Sequence, residues 1–261
     1  MPTVLLTISY DGADYSGWQV QSNGVSVQQV VEEALEKVIG KRVQVRSSGR
    51  TDAGVHARAM PAAFTTDKEL PLRAYVEGVN RFLPPDIAVQ SACHVKADFK
   101  PISDAYAKHY RYRIINSSVR SPLDRRYSWL VRESLDSAAM IKAAHYFVGL
   151  HDFSAFRASN CSAKTTFRRI DAVEIRHFDT SLTIDVVGGG FLKNMVRVMV
   201  GTMVDVGRGR FAPEYVMSLL REGDRKKAGV TAPACGLCLM KVFYTEIDPE
   251  TVLATSLQEA F

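Results

Sequence analysis

Apolar residues in this chain switch repeatedly between a spacing of two and a spacing of three to four, and the switches run through a similar order twice. Thr3 to Tyr10 is rich in Val, Leu, Ile and Thr and reads as a strand. A loop from Asp11 to Asn23 follows, carrying Gly12, Gly17 and Trp18. A helix then starts at Ser26, where Ser26 and Gln29 match a capping box, and Val27, Val30, Val31, Ala34, Leu35, Val38 and Ile39 fall on one face. Gly40 is its natural stop. Strands are predicted over Val43–Ser48, Ala62–Thr66 and Ile87–Val95, with a helix from Pro71 to about Leu83.

The second round has strands at Tyr106–Ile115 and Tyr127–Val131, a helix at Asp136–Val148, and a hairpin from Arg168–Arg176 and Leu182–Val187. Helices at Phe191–Val206 and Pro213–Leu220 and a closing strand at Cys238–Tyr244 complete it. Ser117 to Arg126 is the least patterned stretch and reads as a flexible loop. Two rounds of one pattern point to an α+β duplication, with helices on one face of a largely antiparallel sheet. The expected halves are residues 1–105 and 106–261.

At 261 residues, 46% hydrophobic and 23% charged, the chain has enough apolar residues for a sizeable core, which excludes general disorder. The net charge of +5 and a pI near 9.0 suit a nucleic-acid partner without requiring one. Arg125-Arg126, Arg168-Arg169 and Arg225-Lys226-Lys227 concentrate that charge, although any one cluster can equally be a solvated face. The four cysteines do not form a disulfide framework in a chain of this size. Met1-Pro2-Thr3 runs straight into a strand, so no signal peptide is expected, and no apolar run reaches membrane-spanning length. A reducing, cytoplasmic setting is the expectation.

The densest chemical signal is Ser47-Ser48-Gly49-Arg50-Thr51-Asp52-Ala53-Gly54-Val55-His56-Ala57. A strand delivers the chain into a loop whose glycines allow turns and close ligand approach, and a carboxylate there can be held in a cleft. Thr51-Asp52 can also close a simple Asx turn. Gly188-Gly189-Gly190 precedes a helix and can bring a phosphate to free amides or act as a plain turn. Lys193 and Arg197 lie four apart on a face different from the apolar stripe of Leu192, Met195, Met199, Met203 and Val206. On the strand Lys108-His109-Tyr110-Arg111-Tyr112-Arg113, Tyr106, Lys108, Tyr110 and Tyr112 face one way and Arg111 and Arg113 the other. The tyrosines can stack on bases while the arginines meet phosphates, or they can be core.

Other signals are weaker. Cys235 and Cys238 have metal-pair spacing without a second pair, so no metal is expected. His151, Asp152 and Ser154 evoke a hydrolase triad, but no Gly-x-Ser-x-Gly elbow, Walker loop or Rossmann fingerprint occurs.

Taken together, Gly49-Arg50-Thr51-Asp52-Ala53-Gly54-Val55-His56 resembles the signature of the TruA-type tRNA pseudouridine synthases. Tyr10-Asp11-Gly12 with Gly17-Trp18-Gln19, and His151-Asp152-Phe153-Ser154-Ala155-Phe156, are similar to other segments of that family. So are Phe191-Leu192 with Asn194-Met195-Val196-Arg197, Gly207-Arg208-Gly209, and the closing Ala228-Gly229, Thr231-Ala232-Pro233-Ala234 and Gly236-Leu237. They occur in the family's order along nearly the whole chain.

The resemblance implies two pseudo-symmetric RRM/ferredoxin-like halves joined in one sheet, with a basic cleft between them. It implies conversion of uridine to pseudouridine in the tRNA anticodon stem-loop, at positions 38–40 of the tRNA, with no cofactor and no metal, by a cytoplasmic homodimer. Asp52 falls on the family's catalytic aspartate, which attacks either the base or the sugar. Arg197 falls on the arginine that pairs with it, Tyr110 on the tyrosine that stacks on the target uracil, and Arg50 on the arginine that helps hold the flipped nucleotide. Leu237 or Leu239 is the expected apolar wall. Lys193, Arg111, Arg113, Arg208 and Arg168 are further expected RNA contacts. The chain departs from the family at Met60, Pro61, Lys193, Cys235 and Cys238. An RNA-binding module without chemistry and a metal-dependent RNA hydrolase fit parts of the sequence. The intact Asp52, Tyr110 and Arg197 set argues against the first, and a metal assay with a check for strand cleavage separates the second.

Overall fold

The computed structural model describes residues 1–22 and 24–255, so Asn23 at the end of the expected first loop, and 256–261 at the end of the expected second half, lie outside the described residues. In chain order the strands are β1 (Thr3–Tyr10), β2 (Arg46–Ser47), β3 (His56–Thr65), β4 (Ile87–Val95), β5 (Ala107–Asn116), β6 (Trp129–Val131), β7 (Gly149–Asp152), β8 (Phe167–Phe178), β9 (Ser181–Gly188) and β10 (Leu237–Phe243). The helices are α1 (Val27–Ile39), α2 (Ser137–His145), α3 (Met195–Gly207), α4 (Tyr215–Glu222) and α5 (Pro249–Thr255). The backbone divides into two units, Met1–Tyr106 with Cys238–Thr245, and Ala107–Leu237 with the chain from Glu246 onward. The closing strand, though last in sequence, therefore belongs with the first unit.

In the first unit the strand order is β4-β1-β3-β10, with β2 antiparallel on β3. β1 runs antiparallel to both β3 and β4, and β10 is parallel to β3, setting Cys238 beside His56 and Leu239 beside Ala57. Alternation on β1 sends Val4, Leu6, Ile8 and Tyr10 inward, as a period of two requires. The Ser26 hydroxyl accepts the Gln29 amide and so starts α1, which Gly40 ends in the left-handed conformation at φ 82°. Only half of the expected capping box forms, because the Gln29 side chain donates to Glu33 instead. Val27, Val31, Ala34, Leu35 and Ile39 are buried, each of the larger ones worth roughly 1.5–3 kcal/mol of transfer free energy. Glu32 is buried on the same helix because its carboxylate accepts the Val45 amide at 2.9 Å. The helix expected after Pro71 contains a π-helical turn at Ala74–Gly78.

The second unit has strand order β5-β9-β8-β7, antiparallel throughout, with β6 parallel to β5. α2 starts at Asp136, whose side chain accepts the Ala139 amide, and packs on α3 and β8. The α+β class and the largely antiparallel pairing hold in each unit. Several boundaries differ from expectation. β2 is confined to Arg46–Ser47 and β3 begins at His56, straight after the glycine loop. α3 starts at Met195 rather than Phe191, because Asn194 takes a left-handed conformation at φ 64° that a helix cannot continue through. β7 and α5 were not expected. Ser117–Arg126 contains no helix or strand, but it is pinned: Asp124 accepts the Ser121 hydroxyl, pairs with Arg113, and offers its carbonyl to Ser128.

Candidate active site

β2 and β3 deliver the chain into and out of the loop that carries Asp52. Ser48, the residue before Gly49, is fully buried, its amide donating to the Pro61 carbonyl and its hydroxyl to the Met60 sulfur. The departure at Met60 thus fills a core position and gives a buried hydroxyl an acceptor. Asp52 is half-buried, and its carbonyl accepts the Val55 amide, closing the turn through backbone.

A second loop, 11–18, is pressed against this one. The Tyr10 hydroxyl meets the Thr51 hydroxyl at 2.8 Å, and the Trp18 amide donates to the Thr51 carbonyl. A Cβ on Gly12 would stand 2.0 Å from the Val55 carbonyl oxygen, and one on Gly17 would stand 2.6 Å from that of Thr51. Neither position has room for a side chain, and Gly17 also needs its φ of 93°. The Gly12 amide donates to Nδ1 of the buried His56 at 3.1 Å, and Asp11 Oδ1 lies 3.0 Å from the same nitrogen. Tyr10, Asp11, Gly12, Gly17 and His56 therefore hold the Asp52 loop from both sides. Sequence reasoning quoted most of these residues without giving them this role. Close backbone approach is a tertiary fact, and glycines around Trp18 were its only trace.

In the second unit, β5 carries Tyr110. Its ring meets Phe191 edge-on at a centroid distance of 5.0 Å, and it is almost buried. Tyr112, two residues on, is entirely core: its hydroxyl donates to the Pro233 carbonyl, and a Cβ on Gly236 would strike its ring. The tyrosine row thus splits, with Tyr112 structural. Burial pushes the Lys108 ammonium, on the same face as Tyr110, down to about 8.

Arg197 lies in the first turn of α3, where its Nε donates to the Ala232 carbonyl at 2.7 Å and Nη1 to the Asn194 side chain at 3.2 Å. The segment that supplies Ala232 crosses α3 at close range. A Cβ on Gly201 would meet the Val230 carbonyl oxygen at 1.8 Å, and the Thr202 hydroxyl accepts the Gly229 amide. This packing explains why Ala228-Gly229 and Gly201 carry such small residues.

The opposite face of β5 corrects one expectation. Arg111 is not presented to solvent. Its guanidinium donates to Asp185, which is completely buried and also receives His109 at 2.6 Å and Arg176 at 3.3 Å. Burial alone would raise the Asp185 pKa, but the bonds and charges of His109 and Arg111 hold it below the ordinary carboxylate range. Arg111 is therefore a structural cation and not an RNA contact. Arg113 pairs with Asp124, and Arg208 lies over Trp129 while pairing with Glu133 and Asp205. Arg168 donates to the Thr165 and Phe167 carbonyls. Lys193 is exposed.

The glycine run is not an anion cradle. Gly189 donates its amide to the Arg169 carbonyl, and Gly188 is small because that carbonyl would lie 2.6 Å from a Cβ. Asp152 caps its own turn through the Ser154 amide, and His151 bonds the Val148 carbonyl, so the pair serves local structure. All four cysteines are free thiols. No cluster of metal-ligating side chains occurs among the described residues. Leu237 and Leu239 are both buried, the latter beside Ala57 on the strand that leaves the Asp52 loop.

The chain matches the family model described as tRNA pseudouridine synthase over residues 6–102 and 143–245. A tRNA pseudouridine synthase A from Pelobacter propionicus is 66% identical over 244 residues, covering 94% of this chain and 100% of that protein. The protein of that name from Geotalea daltonii is 55% identical over the same shares, and that from Myxococcus xanthus is 47% identical over 95% of this chain and 94% of its own. A chain in the crystal structure of a Cbf5–Nop10–Gar1 complex is similar only distantly, at 10% identity and a TM-score of 0.39, covering 90% of this chain and 48% of that one, and decides nothing. With the family's pattern matched along most of its length and relatives aligned nearly end to end, the chain belongs to the tRNA pseudouridine synthase family.

Proposed function

We infer that Asp52 is the catalytic carboxylate of the reaction this family performs. The chain is an isomerase that converts uridine to pseudouridine in tRNA. The N1–C1′ bond breaks, the uracil turns, and a C5–C1′ bond forms, while C5 loses a proton and N1 gains one. The change is an isomerisation with no net oxidation, so its stoichiometry calls for no electron carrier. A carboxylate that attacks base or sugar must be ionised and held still. The observation that supports Asp52 is the double clamp on its loop, through Gly12 and Gly17 on one side and His56 on the other.

The remaining roles follow the resemblance. Arg197 supplies the guanidinium that favours the ionised aspartate, Tyr110 stacks on the everted uracil, Arg50 holds the flipped nucleotide, and Leu237 or Leu239 forms the apolar wall. Lys193, which is exposed, and Arg113, Arg168 and Arg208, which already have protein partners, are proposed RNA contacts. Extruding a stacked uridine costs roughly a few kcal/mol, which is why stacking and phosphate contacts are required. The anticodon stem-loop is the proposed target. The resemblance also carries a homodimer and a cytoplasmic location; among the described residues no helix is long and apolar enough to cross a membrane.

The test is Asp52→Asn. It is expected to bind tRNA as the parent does and to form no pseudouridine. Retained turnover in a preparation free of parent enzyme would remove Asp52 from the chemistry.

A further inference from the structure

A hollow of about 280 Å³ opens in the first unit on the Arg50 side of the Asp52 loop. Its walls include the buried Trp18, Pro101 and the largely exposed Ile102, and three cations, Arg46, Arg50 and Lys100, surround it. No acidic residue lines it. Most arginines described above lie against carboxylates: Arg111 with Asp185, Arg113 with Asp124, Arg208 with Glu133. By contrast, Arg46, Arg50 and Lys100 are exposed, and the hydrogen bonds and ion pairs of the described residues include none from their side-chain nitrogens. Three uncompensated positive charges around one concavity favour an anion.

The walls are held in place. Asp104 accepts the Lys100 backbone amide, the Pro101 carbonyl accepts the Tyr244 hydroxyl, and Phe99 lies against the Tyr244 ring at 5.0 Å. Ile102 stays 66% exposed on this anchored segment, an apolar surface with nothing over it.

We propose that this hollow receives one nucleotide of the tRNA strand next to the target uridine, its phosphate on Arg46, Arg50 and Lys100 and its base against Ile102. The size fits: ligand pockets begin at about 300 Å³, so the space suits one nucleotide and not a stem. Its position fits too, because Arg50 borders the hollow and lies two residues from Asp52, which ties the site to the strand entering the chemistry. The proposal rests on the reading of the chain as a tRNA-modifying enzyme and adds a contact beyond the target base.

The experiment measures tRNA affinity across a salt titration, with pseudouridine formation by the unaltered enzyme followed in parallel. The Arg46→Gln/Lys100→Gln double variant is expected to bind roughly tenfold or more weakly at about 0.1 M salt, with the slope of log affinity against log salt reduced by about one to two. Arg46→Lys/Lys100→Arg, which keeps both charges, is expected to keep the slope. Ile102→Ala is expected to weaken binding roughly threefold with the slope unchanged, since it removes an apolar contact and no charge. All these side chains are exposed, so thermal midpoints should match the parent's. An unchanged slope and affinity in the folded double variant overturns the proposal, and an unchanged affinity in Ile102→Ala removes the base from the hollow. If the unaltered enzyme forms no pseudouridine, the functional reading fails, while a lost salt slope would still mark the hollow as an RNA contact.

Discussion

The amide of Gly12 donates to Nδ1 of His56 at 3.1 Å, a bond that exists only while that nitrogen carries no proton. The neutral ring must then hold its proton on Nε2. Asp11, 3.0 Å from the same Nδ1, would take over as its partner if the ring became charged. His56→Leu keeps apolar volume but leaves the Gly12 amide buried without an acceptor, at a cost of about 1–3 kcal/mol. The expected result is a lower denaturation midpoint and slower pseudouridine formation. Nitrogen-15 NMR of the parent should show the Nε2–H tautomer at neutral pH.

Gly12→Ala should separate binding from chemistry. The added methyl would overlap the Val55 carbonyl, so one of the two loops must shift. Displacing a catalytic group by about 1 Å can cost on the order of 100-fold in rate. Single-turnover rates are expected to fall by that order while tRNA affinity changes little. A parent-like rate would show that the loop contact does not position Asp52.

Asp185→Asn tests the buried cluster of the second unit. Removing its charge leaves His109, Arg111 and Arg176 without their shared carboxylate, and losing one member of a buried ion pair costs about 3–5 kcal/mol. Chemical denaturation should show that loss near neutral pH. The folded carboxylate has a lowered pKa, so its contribution is present above the ordinary carboxylate value and is lost as pH falls below about 4 towards the folded value. The variant should therefore lose less stability than the parent on acidification.

Lys108 gives the opposite end of the pH scale. Its folded pKa of about 8 lies below its ordinary 10.5, so between those values the unfolded chain binds more protons than the folded one. Stability contributed by this group is absent below about 8 and grows as pH rises to 10.5. Lys108→Met should be more stable than the parent at pH 7, with the difference shrinking through that window. Denaturant midpoints across the alkaline range measure it.

These residues also show what could be read before the fold was known. Alternation on β5 placed Tyr110 and Arg111 on opposite faces, because a strand's period is two wherever it lies. That Arg111 points into a buried cluster was not legible, since its partner Asp185 stands on another strand, 74 residues later. The start of α3 was misplaced by four residues because Asn194, with its left-handed backbone, looks like any polar residue in an apolar stripe. β7 escaped notice because Gly149–Asp152 is too short for a period to show. The loop around Asp52 was conspicuous for its glycines, yet the tight contacts of Gly12 and Gly17 lie across a gap of more than 30 residues and leave no local pattern.

The return of β10 to the first unit has a consequence for how the protein is made. Residues 1–106 leave the ribosome long before Cys238 exists, so β3 waits with its His56–Ala57 edge uncovered through most of synthesis. The strand that leaves the Asp52 loop is sealed only when the last tenth of the message has been read. A nascent chain stalled short of that point holds a complete signature sequence on an open sheet edge, the kind of surface that recruits other strands.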